Sequence, residues 1–208
     1  MKLPKPIRAW LNPGPTHHPL PESDAVEQAL EAGERAYAAE DYPRALESFR
    51  SAMSQLHKSA DATASAQVIV RLVETLIALG KLDDAAQVID RAYESTGETS
   101  QLTQRAYYEC AQGQIARARG DTDLAQERFE KAIKTGELAR AGMGALGRAQ
   151  GMLADLYLAD GNASYAAHLF REALPRLSLT PDADLSSFFL GRFGEAQIIN
   201  GQETEEIG

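Results

Sequence analysis

The chain has 208 residues, 44% of them hydrophobic and 25% charged, and 21 basic against 30 acidic side chains give a formal charge of −9. That composition supports a sizeable buried core and is neither disordered nor fibrous, while the acidic balance and the lack of a basic cluster argue against nucleic acid as a ligand. Apolar runs of only a few residues leave no transmembrane helix, the proline-broken N-terminus lacks the form of a signal peptide, and the single cysteine, Cys110, has no internal partner; the expected location is cytoplasmic.

Residues 1–22 hold six of the nine prolines, which enforce extended backbone and mark a leader rather than a domain. Within it Lys2, Lys5 and Arg8 flank Ile7, Trp10 and Leu11, apolar residues suited to packing on the helical body or on another molecule. His17 and His18 have no third or fourth ligand nearby, so the pair reads as a solvated loop and no metal is expected. From residue 23 onward helix signals are dense. Ser23 or Asp24 can cap a first helix over about 24–39, and Asp41 a second over about 42–57, with Pro43 in its first turn. The same pairing predicts helices near 62–79 and 82–95, 99–118 and 121–136, and 140–159 and 162–177. Gly80, Gly120 and Gly161 separate the helices of each pair, and Asp121 and Asn162 stand where the next helix needs a cap. A ninth helix is expected over 183–200, ending at Gly201 in register with those glycines, with the tail entering a tenth helix in which Glu206 takes the place of a repeat alanine.

The helices repeat. Ala45, Ala85, Ala125 and Ala166 recur at a period of about forty, in the range of stacked helical hairpins. Each is followed one turn later by Phe49, Ile89, Phe129 or Phe170, and two turns later by another alanine. Together with Gly33, Gly113 and Ala154 on the preceding helices, these residues resemble the tetratricopeptide repeat, in which a small residue on the first helix packs on a small residue and an aromatic of the second. The second unit departs, with Val73 and Ile89 at those sites. The resemblance spans about 24–201. It implies an all-α, right-handed solenoid of four antiparallel hairpins (about 24–60, 61–98, 99–138 and 139–180) plus a terminal helix. The unit is about six residues longer than the family's 34, as in the long-helix variants of kinesin light chains and bacterial regulators.

In such a solenoid the first helices line a concave groove. Eight, eleven and fifteen residues before each repeat alanine stand Tyr37, Glu34 and Leu30; Ile77, Glu74 and Val70; Arg117, Gln114 and Cys110; and Leu158, Asp155 and Gly151. Acids there disfavour the carboxylate clamp of chaperone-binding members and point to a protein or peptide with apolar anchors and some basic character. Tyr37, Tyr107 and Arg117 are the expected anchors, although both tyrosines also suit covering hairpin seams. Gly142, Gly144, Gly147 and Gly151 weaken the fourth first-helix unless close packing compensates. Phe188, Phe189, Phe193 and Ile199 spread over more than one face of the last helix, either as a terminal interface, including one for self-association, or buried on the fourth hairpin. No nucleophile with a base, metal cluster or paired carboxylate is visible, so the chain is expected to be non-catalytic and without a cofactor. The expected role is a protein-interaction or assembly scaffold. A regulatory sensor switched by a groove ligand, and a permanent subunit of a larger complex, are the competing roles.

Overall fold

The computed structural model describes residues 22–56, 62–96, 101–139, 143–178 and 183–206. The leader, with His17 and His18, and also His57 and Gly142, lie outside these residues. Nine helices are described: α1 (Glu22–Ala38), α2 (Tyr42–Leu56), α3 (Ala62–Ala78), α4 (Leu82–Glu94), α5 (Leu102–Ala118), α6 (Thr122–Leu138), α7 (Met143–Ala159), α8 (Ala163–Leu177) and α9 (Ala183–Glu206). They form an all-α stack in which α1 pairs with α2, α3 with α4, α5 with α6 and α7 with α8, and each pair packs on the next.

The turn inside each hairpin is closed by the same hydrogen bonds. Gly80 N–H donates to Ile77 C=O and Lys81 N–H to Leu76 C=O, both at 2.9 Å, and the same doubled pattern recurs at Gly120 with Asp121 and at Gly161 with Asn162. This C-terminal motif needs a residue in the left-handed region, where glycine has no Cβ penalty. Gly80, Gly120 and Gly161 supply it at φ +70°, +81° and +83°, and Glu40 supplies it in the first hairpin at φ +58°. The next residue caps the second helix: Asp121 Oδ1 accepts from Leu124 N–H at 3.1 Å, Asn162 Oδ1 from Tyr165 N–H at 3.2 Å, and Asp41 Oδ1 from Arg44 N–H at 3.3 Å. Lys81 stands at this position in the second hairpin and makes no side-chain cap. Its backbone (φ −88°, ψ 60°) is close to that of Asn162 (φ −86°, ψ 67°). Lys81→Asn is therefore expected to stabilise the chain by about 1 kcal/mol, read as a raised urea midpoint; an unchanged or lowered midpoint would refute the cap argument.

The repeat alanines lie where helices approach most closely: Ala45, Ala85, Ala125 and Ala166 are all 0% exposed. Across each seam Phe49, Phe129 and Phe170 are equally buried. A Cβ added to Gly33 would come 2.6 Å from the Phe49 ring, and one added to Gly113 would come 2.5 Å from the Phe129 ring, so only glycine fits. The second hairpin exchanges volume in the opposite sense, with a larger Val73 and a smaller Ile89, both buried, which preserves the packed total. In the fourth first-helix an added Cβ on Gly147 would press on Arg176 and Ala173, and one on Gly151 would enter the Phe189 ring. Close packing thus offsets the helical cost of these glycines.

Successive first helices also touch one another, α3 with α5, α5 with α7 and α7 with α9, whereas among the described residues no such packing joins the second helices. The array therefore curves with its first helices on the inside. The helix α9 differs from expectation. It runs unbroken through Gly201 to Glu206, so no turn forms there and no tenth helix begins among the described residues. Gly201 takes no positive φ, and Gln202 follows where Asp121 and Asn162 provide caps in the hairpins. Phe189 is 0% exposed against Gly151 and Phe170, and Phe193 and Ile199 are partly buried on the same core. Of the four aromatic and aliphatic residues expected at a terminal interface, Phe188 alone lies open, accompanied by Leu190 and Ile198. α9 seats Phe189, Phe193 and Ile199 on repeat four, and the Phe189 ring fills the slot that Gly151 leaves.

Candidate functional site

The inner face follows a stripe that keeps the i, i+4, i+7, i+11 spacing of one helix face along each first helix. In α1 it reads Glu27, Glu31, Glu34 and Ala38, in α3 Gln67, Arg71, Glu74 and Ala78, in α5 Tyr107, Ala111, Gln114 and Ala118, and in α7 Arg148, Met152, Asp155 and Ala159. The first members of all four stripes, Glu27, Gln67, Tyr107 and Arg148, line one cavity of about 500 Å³. Glu31 and Arg71, one turn further on, join them, together with Leu30, Val68 and Val70 of the α1–α3 gap and Leu185 from α9. A second, wider hollow of about 880 Å³ is bounded by Tyr37, Ile77, Gln114, Arg117, Met152 and Asp155, with Leu185 and Phe188 of α9 on its far side. Arg71 and Leu185 line both. The stack therefore curves far enough for its last helix to face its first across a shared concavity.

Charges between the two hollows are paired. Arg71 Nε donates to Glu34 Oε1 at 2.7 Å and its Nη2 to Oε2, a two-pronged contact between α1 and α3, while Nη1 donates to Glu74 Oε2 at 2.8 Å. Glu74 also accepts from Arg148 Nη1 on α7 and from Gln114 Nε2 at 3.1 Å on α5. The Glu74 carboxylate thus joins α3, α5 and α7, and Arg71 extends the network to Glu34 of α1. Burial by itself would push the Glu74 carboxyl up, but the Arg148 and Arg71 guanidiniums, with the Gln114 hydrogen bond, hold it below the usual carboxylate range. Asp155, 3% exposed, is held between Arg117 Nη1 at 2.7 Å and Arg192 of α9. The Arg71 guanidinium lies 4.6 Å from the centroid of the Tyr37 ring, a cation–π contact. Burial, then the nearby Glu74 carboxylate, pushes the Tyr37 phenol up despite that cation.

The expected groove residues divide accordingly. Tyr37, Ile77, Gln114 and Arg117 border the wider hollow, and Leu30 and Glu34 the narrower one, all half-buried. Val70 lines the narrower cavity, Cys110 and Gly151 stand one position off the stripe and turn into the seams between helices, and Leu158 is buried at 6% exposure. Tyr107 lines the narrower cavity but is only 3% exposed, and Gln67 Nε2 donates to its hydroxyl at 3.4 Å. Glu74 and Asp155 are buried inside ion pairs, so they give the groove little net acidity. Arg71, Arg148 and Arg192, which the offsets of eight, eleven and fifteen passed over, neutralise them. A strict helical count back from Asp155 and Glu74 reaches Arg148 and Arg71 on the same face, so the signal was present in the periodicity. Among the described residues there is no group of three His, Cys, Asp or Glu placed to hold a metal ion, and no helix long and apolar enough to cross a membrane.

A tetratricopeptide-repeat family model matches residues 36–102, from the end of α1 through the second hairpin. That stretch is similar to the tetratricopeptide repeat. The fold of the chain as a whole is similar to two solved structures. The crystal structure of BtubC (BKLC) from P. vanneervenii is 16% identical at a TM-score of 0.56, covering 96% of this chain and 84% of that one. A putative kinesin light chain of P. anserina with nearly identical TPR-like repeats is 17% identical at a TM-score of 0.53, covering 91% and 92%. No curated protein matches the sequence. At these identities the likeness concerns the tetratricopeptide-like fold alone, a fold that in general serves protein–protein interaction and scaffolding.

Proposed function

We propose that this chain is a non-catalytic interaction scaffold that binds a short helix or extended segment of a partner protein along its inner face. The observation that carries the reading is the α1–α3 cavity, walled by Leu30, Val68, Val70, Tyr107 and Leu185 and rimmed by Glu27 and Glu31. An apolar hollow with a few charged groups at its mouth fits one or two anchoring side chains of a bound segment. Glu27 and Glu31 are exposed and form no ion pair among the described residues, so they supply acidic character that the paired Glu34, Glu74 and Asp155 do not, partly offset by the exposed Arg35 on the same lining. The fitting ligand thus has an apolar anchor beside a basic residue. Tyr37, Ile77 and Arg117 extend the same surface toward the wider hollow.

Site-specific photocrosslinking in a lysate of the source cell checks this reading. A photoreactive side chain at Ile77 on the inner face is expected to capture a discrete protein, and one at Arg50 on exposed α2 is not. Leu30→Ala with Tyr37→Ala should reduce the capture at Ile77 by about thirtyfold or more, since truncating anchor residues removes on the order of 1–2 kcal/mol each. Equal capture from both positions, or capture indifferent to the two truncations, would remove the inner face as the binding surface.

A further inference from the structure

The charge at the mouth of the α1–α3 cavity is matched by a segment of the same chain. Residues 1–21 contain Lys2, Lys5 and Arg8 and no Asp or Glu. Their large apolar side chains are Leu3, Ile7, Trp10, Leu11 and Leu20, and Ile7, Trp10 and Leu11 cluster beside the basic residues. The cavity has the complementary pair of features, an apolar wall and the exposed Glu27 and Glu31 at its rim, with Arg35 one turn beyond Glu31 offsetting part of that charge. These acids also lie near the attachment point. Glu27 and Glu31 follow Glu22, the first residue of α1, by five and nine positions, which is about 7 and 13 Å along the helix.

Ten residues, 12–21, separate Leu11 from α1. They include Asn12-Pro13-Gly14, with the proline and glycine in the order favoured at the centre of a type II turn. A reversal at Pro13-Gly14 would turn the preceding segment back beside α1, while the other prolines keep the rest of the linker extended. Tethering of this kind replaces free diffusion by an effective concentration on the order of millimolar, so even a contact of about millimolar affinity would keep the cavity half occupied. We propose that residues 2–11 dock into the α1–α3 cavity of their own chain, Trp10 and its apolar neighbours against Leu30, Val68 and Leu185 and the basic residues against Glu27 and Glu31, as a built-in competitor of the partner segment. The proposal rests on the reading of the cavity as the binding site and makes access to it conditional on leader release.

Trp10 is the chain's single tryptophan, so its fluorescence reports on the leader without a label. In the full chain its emission is expected to be shifted to the blue, and its acrylamide quenching several-fold weaker, compared with a synthetic peptide of residues 1–21. Glu27→Lys with Glu31→Lys, both at exposed positions, should restore peptide-like emission and quenching while circular dichroism stays unchanged. Lys5→Glu with Arg8→Glu should do the same from the leader side, and combining all four charge reversals should re-bury Trp10. Peptide-like emission in the unmodified chain, or burial indifferent to both charge reversals, would overturn the proposal. A shift that grows with protein concentration would also overturn it, by assigning the cavity to the leader of a second copy. The crosslinking readout separates this proposal from the reading beneath it. Capture at Ile77 with a solvent-exposed Trp10 sinks the leader and leaves the groove, whereas a buried, charge-dependent Trp10 with no capture does the reverse. Where both hold, Trp10→Ser should raise capture several-fold.

Discussion

Phe189→Ala is expected to destabilise the chain by about 3–5 kcal/mol, the range for removing a fully buried aromatic ring. Phe189 is 0% exposed, its ring centroid lies 5.7 Å from that of Phe170, and its edge fills the slot that Gly151 leaves in α7. The ring is the main wedge between α9 and the fourth hairpin, and neither the glycine nor the buried neighbours can move in to fill the space. Stability in a stacked array is a sum of units and neighbour contacts, so the loss should be concentrated at one end. Urea denaturation followed by helical signal is expected to show an early transition for α9, separated from that of the hairpins. A single cooperative transition shifted by less than about 1 kcal/mol would contradict the role assigned to this ring. The outcome also bears on the inner face, because Leu185 walls both hollows, and Phe188 the wider one, only while α9 is docked.

Arg148→Met should cost about 3 kcal/mol or more, the penalty for removing one partner of a buried ion pair. Arg148 is 3% exposed and Glu74 8% exposed, and their contact crosses from α7 to α3. The loss strands a carboxylate that then relies on Arg71 and Gln114. Replacing both partners, Glu74→Leu with Arg148→Met, removes the buried charge altogether and is expected to recover most of the loss, since apolar pairs of similar size often match a buried ion pair. A double variant as unstable as the sum of the singles would show that the pair contributes net stability of its own. The pH dependence has a definite sign. The Glu74 carboxyl is held below its usual value of 4.5 in the folded chain, so its contribution is present above that value and fades as pH falls below it toward the folded value. The stability gap between wild type and Glu74→Gln should therefore be constant above about pH 5.5 and narrow as the solution is acidified through about pH 4.

The architecture was legible in the sequence for a simple reason. A regular recurrence of small and bulky residues is a statement about which helices must touch, and contacts between neighbours in sequence are all that a stacked array requires. The turn glycines and the Asp41, Asp121 and Asn162 caps were legible for the same reason, since each satisfies backbone groups within a few residues of itself. The inner face was only half legible. Tyr37, Ile77 and Arg117 border the wider hollow and Val70 lines the narrower one, but Cys110 and Gly151 fall in the seams, because a straight helical count along α5 and α7 reaches Ala111 and Met152 instead. The slip of a single position hid Arg71, and Arg148 with it, and made the groove look more acidic than it is.

By itself the sequence determined the all-α repeat, the order and approximate bounds of the hairpins, and the small-to-large complementarity of Gly33 with Phe49 and Gly113 with Phe129. Tertiary structure alone decided how charges and the last helix are used. Arg148 and Glu74 are 74 residues apart, and Arg192 and Asp155 are 37 apart, and neither pairing follows from local spacing. Gly201 looks like another turn glycine, yet the backbone stays helical there, while Phe189, one of several phenylalanines with equal claims to a surface, is buried because Gly151 is the residue opposite. Curvature brings Leu185 against the same cavity as Leu30, and that meeting of the two ends of the array, fixed by the summed geometry of every seam between them, is what turns a row of hairpins into a cleft.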